Sequence, residues 1–202
     1  MNKPINLNVR VSGTLGEFVS SNIGETGEYD NASEYIRDLI RKDKAQTDQK
    51  AFVTLQAELQ HAFSAPESIY IALSADDIIS RNQPQSAAII MKPYLIQKAT
   101  GLRLDDIYRY TLNQWGNQQA EHSIRGLFEQ FDDIAAQATF SHPIPAEFGV
   151  DGFFSHYEHH IIYWKTLSTG QVGIVTVLHE KMHQIERFKE DFTFNQTLIE
   201  KL

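Results

Sequence analysis

The apolar pattern changes character at Gln83-Pro84-Gln85-Ser86-Ala87-Ala88-Ile89-Ile90-Met91-Lys92-Pro93, and this seam constrains the fold more than any other stretch. Before it lie a short alternating segment, helices with narrow apolar stripes and a capped acidic turn. After it come a fresh strand, a helical hairpin and a run of strands. A length of 202 residues allows one ordinary domain or two small ones, so the two halves must decide. Met91 stands where an initiator methionine of the second half would stand.

In the first half, Ile5, Leu7, Val9 and Val11 alternate strictly with Asn6, Asn8 and Arg10, which predicts a strand with one apolar and one polar face. Leu15, Phe18, Val19 and Ile23 predict a short helix ended by Gly24 and Gly27. A second helix is expected after Asn31-Ala32-Ser33, where Asn31 or Ser33 can cap it, with Tyr35, Ile36, Leu39 and Ile40 as its stripe. About forty residues of strand, helix, helix cannot enclose a core alone, so this unit must pair.

The order and spacing of that unit, with Gly13-Thr14-Leu15 and then Asn31-Ala32-Ser33-Glu34-Tyr35-Ile36-Arg37, resembles the ribbon-helix-helix fold and, within it, the ParD family of antitoxins. The resemblance covers residues 5 to 83. It implies a homodimer whose two strands form an antiparallel ribbon in the DNA major groove. Asn6, Asn8 and Arg10 suit base edges there, and the helix start at Asn31 and Ser33 suits a phosphate. Residues 1 to 42 hold five basic and six acidic side chains, so any DNA binding is local.

From Lys42 to Lys50 the chain is polar, and a third helix is expected on Phe52, Leu55, Leu59, Ala62 and Phe63. Ser68-Ile69-Tyr70-Ile71-Ala72-Leu73 reads as extended, and Ser74 with Asp77 imitates a capping box ahead of Ile78 and Ile79. Residues 44 to 83 therefore carry anchors but no core of their own, as in a segment that orders along another surface. The ParD resemblance implies that this arm masks a toxin, with Phe52, Leu55, Leu59, Phe63, Ile69, Ile71, Leu73, Ile78, Ile79 and Trp164 at the interface.

The second half opens on a strand, Tyr94-Leu95-Ile96, and continues with Leu104, Ile107, Tyr108, Thr111, Leu112 and Trp115 at helical spacing. Gly116 interrupts, and Ala120, Ile124, Leu127, Phe128, Phe131, Ile134 and Ala135 resume it, which predicts an αα-hairpin with Trp115, Phe128 and Phe131 in its core. Three strand-like runs follow, around Phe153, Ile161 and Ile174. Helices segregate from strands, so the fold class is α+β: a helical hairpin packed on an antiparallel sheet. This order, with Leu104-Asp105-Asp106-Ile107-Tyr108-Arg109-Tyr110-Thr111-Leu112-Asn113-Gln114-Trp115-Gly116, Ile161-Ile162-Tyr163-Trp164 and Ile174-Val175-Thr176-Val177-Leu178-His179, resembles the ParE branch of the RelE/ParE toxin superfamily. The resemblance implies inhibition of DNA gyrase by binding, not by catalysis.

Five of the eight histidines are His156, His159, His160, His179 and His183. His179 and His183 would share a helix face, as in zinc motifs, but there is no cysteine and no His-Glu-x-x-His, so neither metal nor another cofactor is expected. The alternative chemistry is that of an RelE-like mRNA-cleaving toxin, for which His156, His179, Lys181 and His183 are the candidates. A third reading is a transcriptional repressor whose toxin half has decayed. Asp105 and Asp106 read as first-turn acids favoured by the helix dipole.

The expected organisation is thus residues 1–43 for DNA binding and dimerisation, 44–83 for the arm, 84–90 as linker, 91–192 as toxin domain and 193–202 as tail. No apolar run approaches the roughly 20 residues of a membrane span. The N-terminus lacks the pattern of a signal peptide, so a cytoplasmic chain is expected, with operator DNA and gyrase as partners. The net charge is -8, from 8 basic and 12 acidic residues in 1–83 and 10 basic and 14 acidic in 84–202. Pro84 to Ile90 can span at most about 25 Å, which bounds how far the arm's end can lie from the strand at Tyr94.

Overall fold

A computed structural model of the chain describes residues 4–25, 27–82 and 92–180. Residues 83–91 of the seam and everything after Glu180, including Lys181, His183 and the expected tail, lie outside the described residues. The chain divides into two units, Met1–Lys50 and Ala51–Leu202.

In the first unit residues 5–11 form no strand, and Ile5, Leu7, Val9 and Val11 are all exposed. The alternation is real, but a strand exists only when its backbone groups are paired, and within the described residues nothing pairs with this segment. Helix α1 (Gly13–Asn22) follows, with Leu15 and Phe18 exposed. Helix α2 (Ala32–Phe63) is capped by Asn31, whose side-chain oxygen accepts from Glu34 N–H at 3.0 Å. Tyr35 is buried and packs against Tyr29, with ring centroids 5.1 Å apart. The Tyr29 hydroxyl donates to Asp38, which sits 2.8 Å from Lys42. Hydrogen bonds from Lys42 and Tyr29 hold the Asp38 carboxyl below its usual range.

No break occurs at Lys42–Lys50: α2 runs through to Phe63, where a polar stretch and a separate third helix are expected from the sequence. Residues 42–50 contain neither Gly nor Pro, and Asp38–Lys42 and Lys44–Asp48 are i,i+4 pairs along the surface. Their polarity marks a solvated stretch of helix.

The second unit is built on a six-stranded sheet of order β1-β2-β6-β5-β4-β3. After the end of α2, a 3-10 turn at Glu67–Ile69 leads into β1 (Tyr70–Ile71) and then α3 (Ala75–Asn82). The capping box is reciprocal: Ser74 N–H donates to Asp77 at 2.7 Å, and Asp77 N–H donates to Ser74 Oγ at 3.2 Å. Strand β2 (Tyr94–Gln97) passes directly into α4 (Lys98–Trp115), and Gly116 turns the chain into α5 (Asn117–Ala135). Gly116 has φ +85°, a conformation that costs an L-residue and that glycine adopts freely.

The remaining strands are β3 (His142–Pro143), β4 (Phe153–Tyr157), β5 (His160–Thr166) and β6 (Val172–His179). Strands β3 to β6 are antiparallel neighbours, but β2 lies parallel to β6, with Leu95 opposite Gly173. The sheet is therefore mixed where an antiparallel one is expected. The helical hairpin and then strands β3 to β5 make up the long connection that a parallel neighbour requires, and the hairpin covers one sheet face. Because α4 begins at Lys98, Asp105 and Asp106 sit in its middle, not in its first turn.

The core on the hairpin side gathers Leu104, Tyr108, Ile124, Leu127, Phe128 and Phe131 with Ile96, Ile162, Trp164, Ile174 and Val177 of the sheet. On the opposite side Leu55 and Leu59 of α2 cluster with Phe154, Ile161, Tyr163 and Leu178. Leu59 is fully buried. Leu59→Ala is expected to cost about 2–5 kcal/mol of unfolding free energy through lost burial and the cavity left, as read by urea denaturation.

Candidate functional site

Two surfaces of the second unit concentrate the residues singled out from the sequence. The first is where residues 51–82 meet the sheet and hairpin. Leu55, Leu59, Phe52 and Phe63 lie in the cluster with Phe154, Ile161 and Tyr163. Phe63 and Ile69 also pack against Tyr70, Leu167 and Val175. Leu73, Ile78 and Ile79 are buried in the hairpin-side core, and Ile71, half-buried, pairs with Ile96 through the backbone.

Trp164 is buried in the hairpin-side core, in the same cluster as Leu73, Ile78 and Ile79, while its neighbour Tyr163 belongs to the cluster with Leu55 and Leu59. Adjacent residues of a strand point to opposite faces, and here a bulge follows, since Tyr163 pairs with Thr176 but Trp164 with Ile174.

A belt of polar contacts joins the same segments. Gln56 and Gln60 donate to the carbonyls of Glu147 and Phe148 at 2.7 and 3.0 Å, and Gln97 donates to the Ala62 carbonyl at 2.9 Å. Glu58 pairs with Arg103 at 2.7 Å. The Glu67 carboxylate accepts from both the backbone N–H and the hydroxyl of Ser168, which holds Glu67 below its usual range. Buried Asp105 receives Arg81 at 3.4 Å and Asn82 at 3.3 Å. That contact gives Asp105 a role that helix-dipole reasoning missed; only the meeting of α3 with α4 reveals it.

The second surface is a groove of about 980 Å³ between the hairpin and the ends of β5 and β6, lined by Tyr110 and Trp115 on one side and His159, His160 and His179 on the other. Trp115 is expected from its spacing to be hairpin core, yet it is 64% exposed and packs edge-on against Tyr110, itself 60% exposed. It is the last residue of α4, where the stripe has already run past the sheet. Phe128 and Phe131 are buried as their spacing predicts.

The histidines meet because β5 and β6 end side by side, with His160 opposite His179. His159 Nδ1 lies 2.8 Å from a Glu180 oxygen, and His156 Nε2 lies 4.0 Å from the other. The His159 contact holds Glu180 below its usual carboxylate range. Burial lowers His156, and burial with the neighbouring His179 and His159 pushes His160 down to about 4. Among the described residues no group of three or more His, Cys, Asp or Glu side chains is placed to hold a metal ion. None of the helices among them is long and apolar enough to cross a membrane.

In the first unit Asn6, Asn8 and Arg10 are exposed, as is Ser33. Asn31 spends its side-chain oxygen on Glu34 N–H, and the Glu34 carboxylate accepts from Asp30 N–H at 3.2 Å. An acid already occupies the vicinity of this helix start, which disfavours a phosphate there.

The depressed His160 makes stability depend on pH. Between its ordinary value of 6.5 and about 4, the unfolded chain takes up a proton that the folded chain does not, so stability falls as pH drops through that window. The urea midpoint is expected to decrease from pH 7 to pH 5, and His160→Gln should flatten that decrease.

Residues 102–184 match the family model described as ParE toxin of type II toxin-antitoxin system, parDE. The chain matches no curated protein. The match spans less than half of the chain and takes in most of α4, all of α5 and strands β3 to β6. A ParE toxin domain is therefore present in the second unit, on the segment that carries the helical hairpin and the groove.

Proposed function

We propose that the chain is an antitoxin–toxin fusion, in which residues 1–43 form a ParD-like, dimerising, operator-binding unit and residues 44–83 mask the ParE toxin domain. The observation that carries this reading is the position of residues 51–82. They supply an edge strand to the toxin sheet, a helix over its second face and a capped helix against the hairpin. The target of the released toxin is DNA gyrase, engaged by binding, as the ParE resemblance implies.

The first unit contributes through the alternation of residues 5–11. Its unpaired, exposed apolar face, Ile5, Leu7, Val9 and Val11, is suited to the same face of a second chain, which would leave Asn6, Asn8 and Arg10 for base edges. An RNA-cleaving toxin is the second reading, and the His159–Glu180 pair beside His179 is the feature that would serve it.

Replacing Leu55 and Leu59 together by Asp in the full chain is expected to arrest bacterial growth and to inhibit gyrase supercoiling in vitro, while the unaltered chain does neither. Cleavage of mRNA by that variant, lost on His179→Ala, would select the second reading instead. Arg10→Ala is expected to weaken binding to the DNA upstream of the chain's own reading frame by about 1–3 kcal/mol and to relax its sequence specificity.

A further inference from the structure

Helix α3 is held on the hairpin by contacts of two kinds. In its middle, Ile78 and Ile79 are buried in the hairpin-side core. At its ends the contacts are ionic and of opposite sense. Asp76, in the first turn, pairs with Arg125 of α5 at 2.8 Å, and Arg81, in the last turn, pairs with Asp105 of α4 at 3.4 Å. Asn82 donates to the other oxygen of Asp105 at 3.3 Å.

The two ends are unequal. Asp76 and Arg125 both face water, where such a pair contributes little. The Asp105 side chain is only 10% exposed, and a buried carboxylate that loses its cation costs more than the pair itself gains. Arg109, the next guanidinium along α4, donates from Nε to the Asp105 carbonyl and is paired with Asp106 at 2.9 Å. Among the described residues the Asp105 carboxylate therefore takes its hydrogen bonds from Arg81 and Asn82, both at the end of α3.

Apolar burial says little about which helix lies here. Ile78 and Ile79 stand midway between Asp76 and Arg81, so an end-for-end reversal of α3 would again bury two isoleucines. It would also bring Asp76 to Asp105 and Arg81 to Arg125, two contacts of like charge. Burial holds the helix, and the charges at its ends select it. Both hairpin-side partners, Asp105 and Arg125, lie within the segment matched as ParE toxin, and Asp76 and Arg81 lie before it.

We propose that Asp105 and Arg125 are specificity-determining residues of the toxin domain toward its mask. Given the masking by residues 44–83 proposed above, they admit a short helix with a carboxylate in its first turn and a guanidinium in its last, and they reject one whose ends are reversed. That order of acid and base is also the one the helix dipole favours. Asp105 carries most of the discrimination, because it is the buried member of the four.

Hydrogen exchange on the full chain tests this, with the amides of Ile78 and Ile79 reporting α3 and that of Leu127 reporting α5. Arg81→Glu is expected to speed exchange in α3 about tenfold relative to α5, and Asp105→Arg to do the same, while the two together return the ratio to within about threefold of the unaltered chain. A general loss of stability would speed both helices alike and leave the ratio unmoved. Arginine is bulkier than the aspartate it replaces at 105, so a second cycle uses the exposed pair. There Asp76→Arg and Arg125→Asp are each expected to speed α3 about twofold, and their combination to restore it. Single reversals that leave the ratio unmoved overturn the proposal, as do singles that move it without recovery in either combination. Whether the arm masks the toxin is decided separately, by growth with Leu55 and Leu59 replaced by Asp, so a failed charge cycle and a failed mask give different results.

Discussion

Strands β5 and β6 are buried on both faces, and the rest of the second unit follows from that. From Ile161 to Trp164 and from Gly173 to Leu178 every residue is buried, where a sheet solvated on one side would alternate. Two covers are therefore required. The α4–α5 hairpin supplies one against Ile162, Trp164, Ile174 and Val177. The other, against Ile161, Tyr163 and Leu178, comes from α2 through Leu55 and Leu59. The segment matched as ParE toxin begins at residue 102, so the helix that covers its second face lies outside the match, while Ile144 and Phe148 of the same cluster lie inside it.

What was legible in the sequence was local. The Ser74–Asp77 box, the hairpin turn at Gly116 and the buried stripe of α5 each depend on residues within a few positions of one another, and each stands in the structure where the pattern puts it. The parallel pairing of β2 with β6 was not legible, because it depends on where the last strand lands after two helices and three intervening strands. Nor was the facing of Tyr163 and Trp164: their adjacency says that they oppose each other, but the bulge opposite Val175 and the depth of each cover decide which goes where. The polar run 42–50 misled in another way. Its charge suggests a boundary, while intrinsic propensity and i,i+4 pairing favour continuing the helix.

The histidine corner shows why site chemistry resists sequence reading even when its residues are conspicuous. His156, His159, His160 and His179 come from the β4–β5 hairpin and the end of β6, and their spacing along the chain encodes no shared geometry. Register places His160 across from His179, and burial then decides protonation, keeping His160 neutral well below the usual imidazole range. The nearby carboxylate of Glu180 works in the opposite direction on His160, and desolvation is the larger effect.

Residues 51–82 and the sheet depend on one another. Strand β1 has two residues and α3 has eight, and a helix shorter than about 12–15 residues is marginal in water without a surface to lie on. These elements are ordered by Ile96, Tyr108 and the other residues they cover. The sheet in turn would expose Phe154, Ile161, Tyr163 and Leu178 together if α2 left, an apolar area that water does not tolerate without another occupant. Release of this face is thus an exchange of one cover for another, or a cut in the cover, and not a spontaneous opening. The polar belt makes the exchange specific: a replacement for α2 must also satisfy the carbonyls of Glu147 and Phe148 and the guanidinium of Arg103, which Gln56, Gln60 and Glu58 now hold.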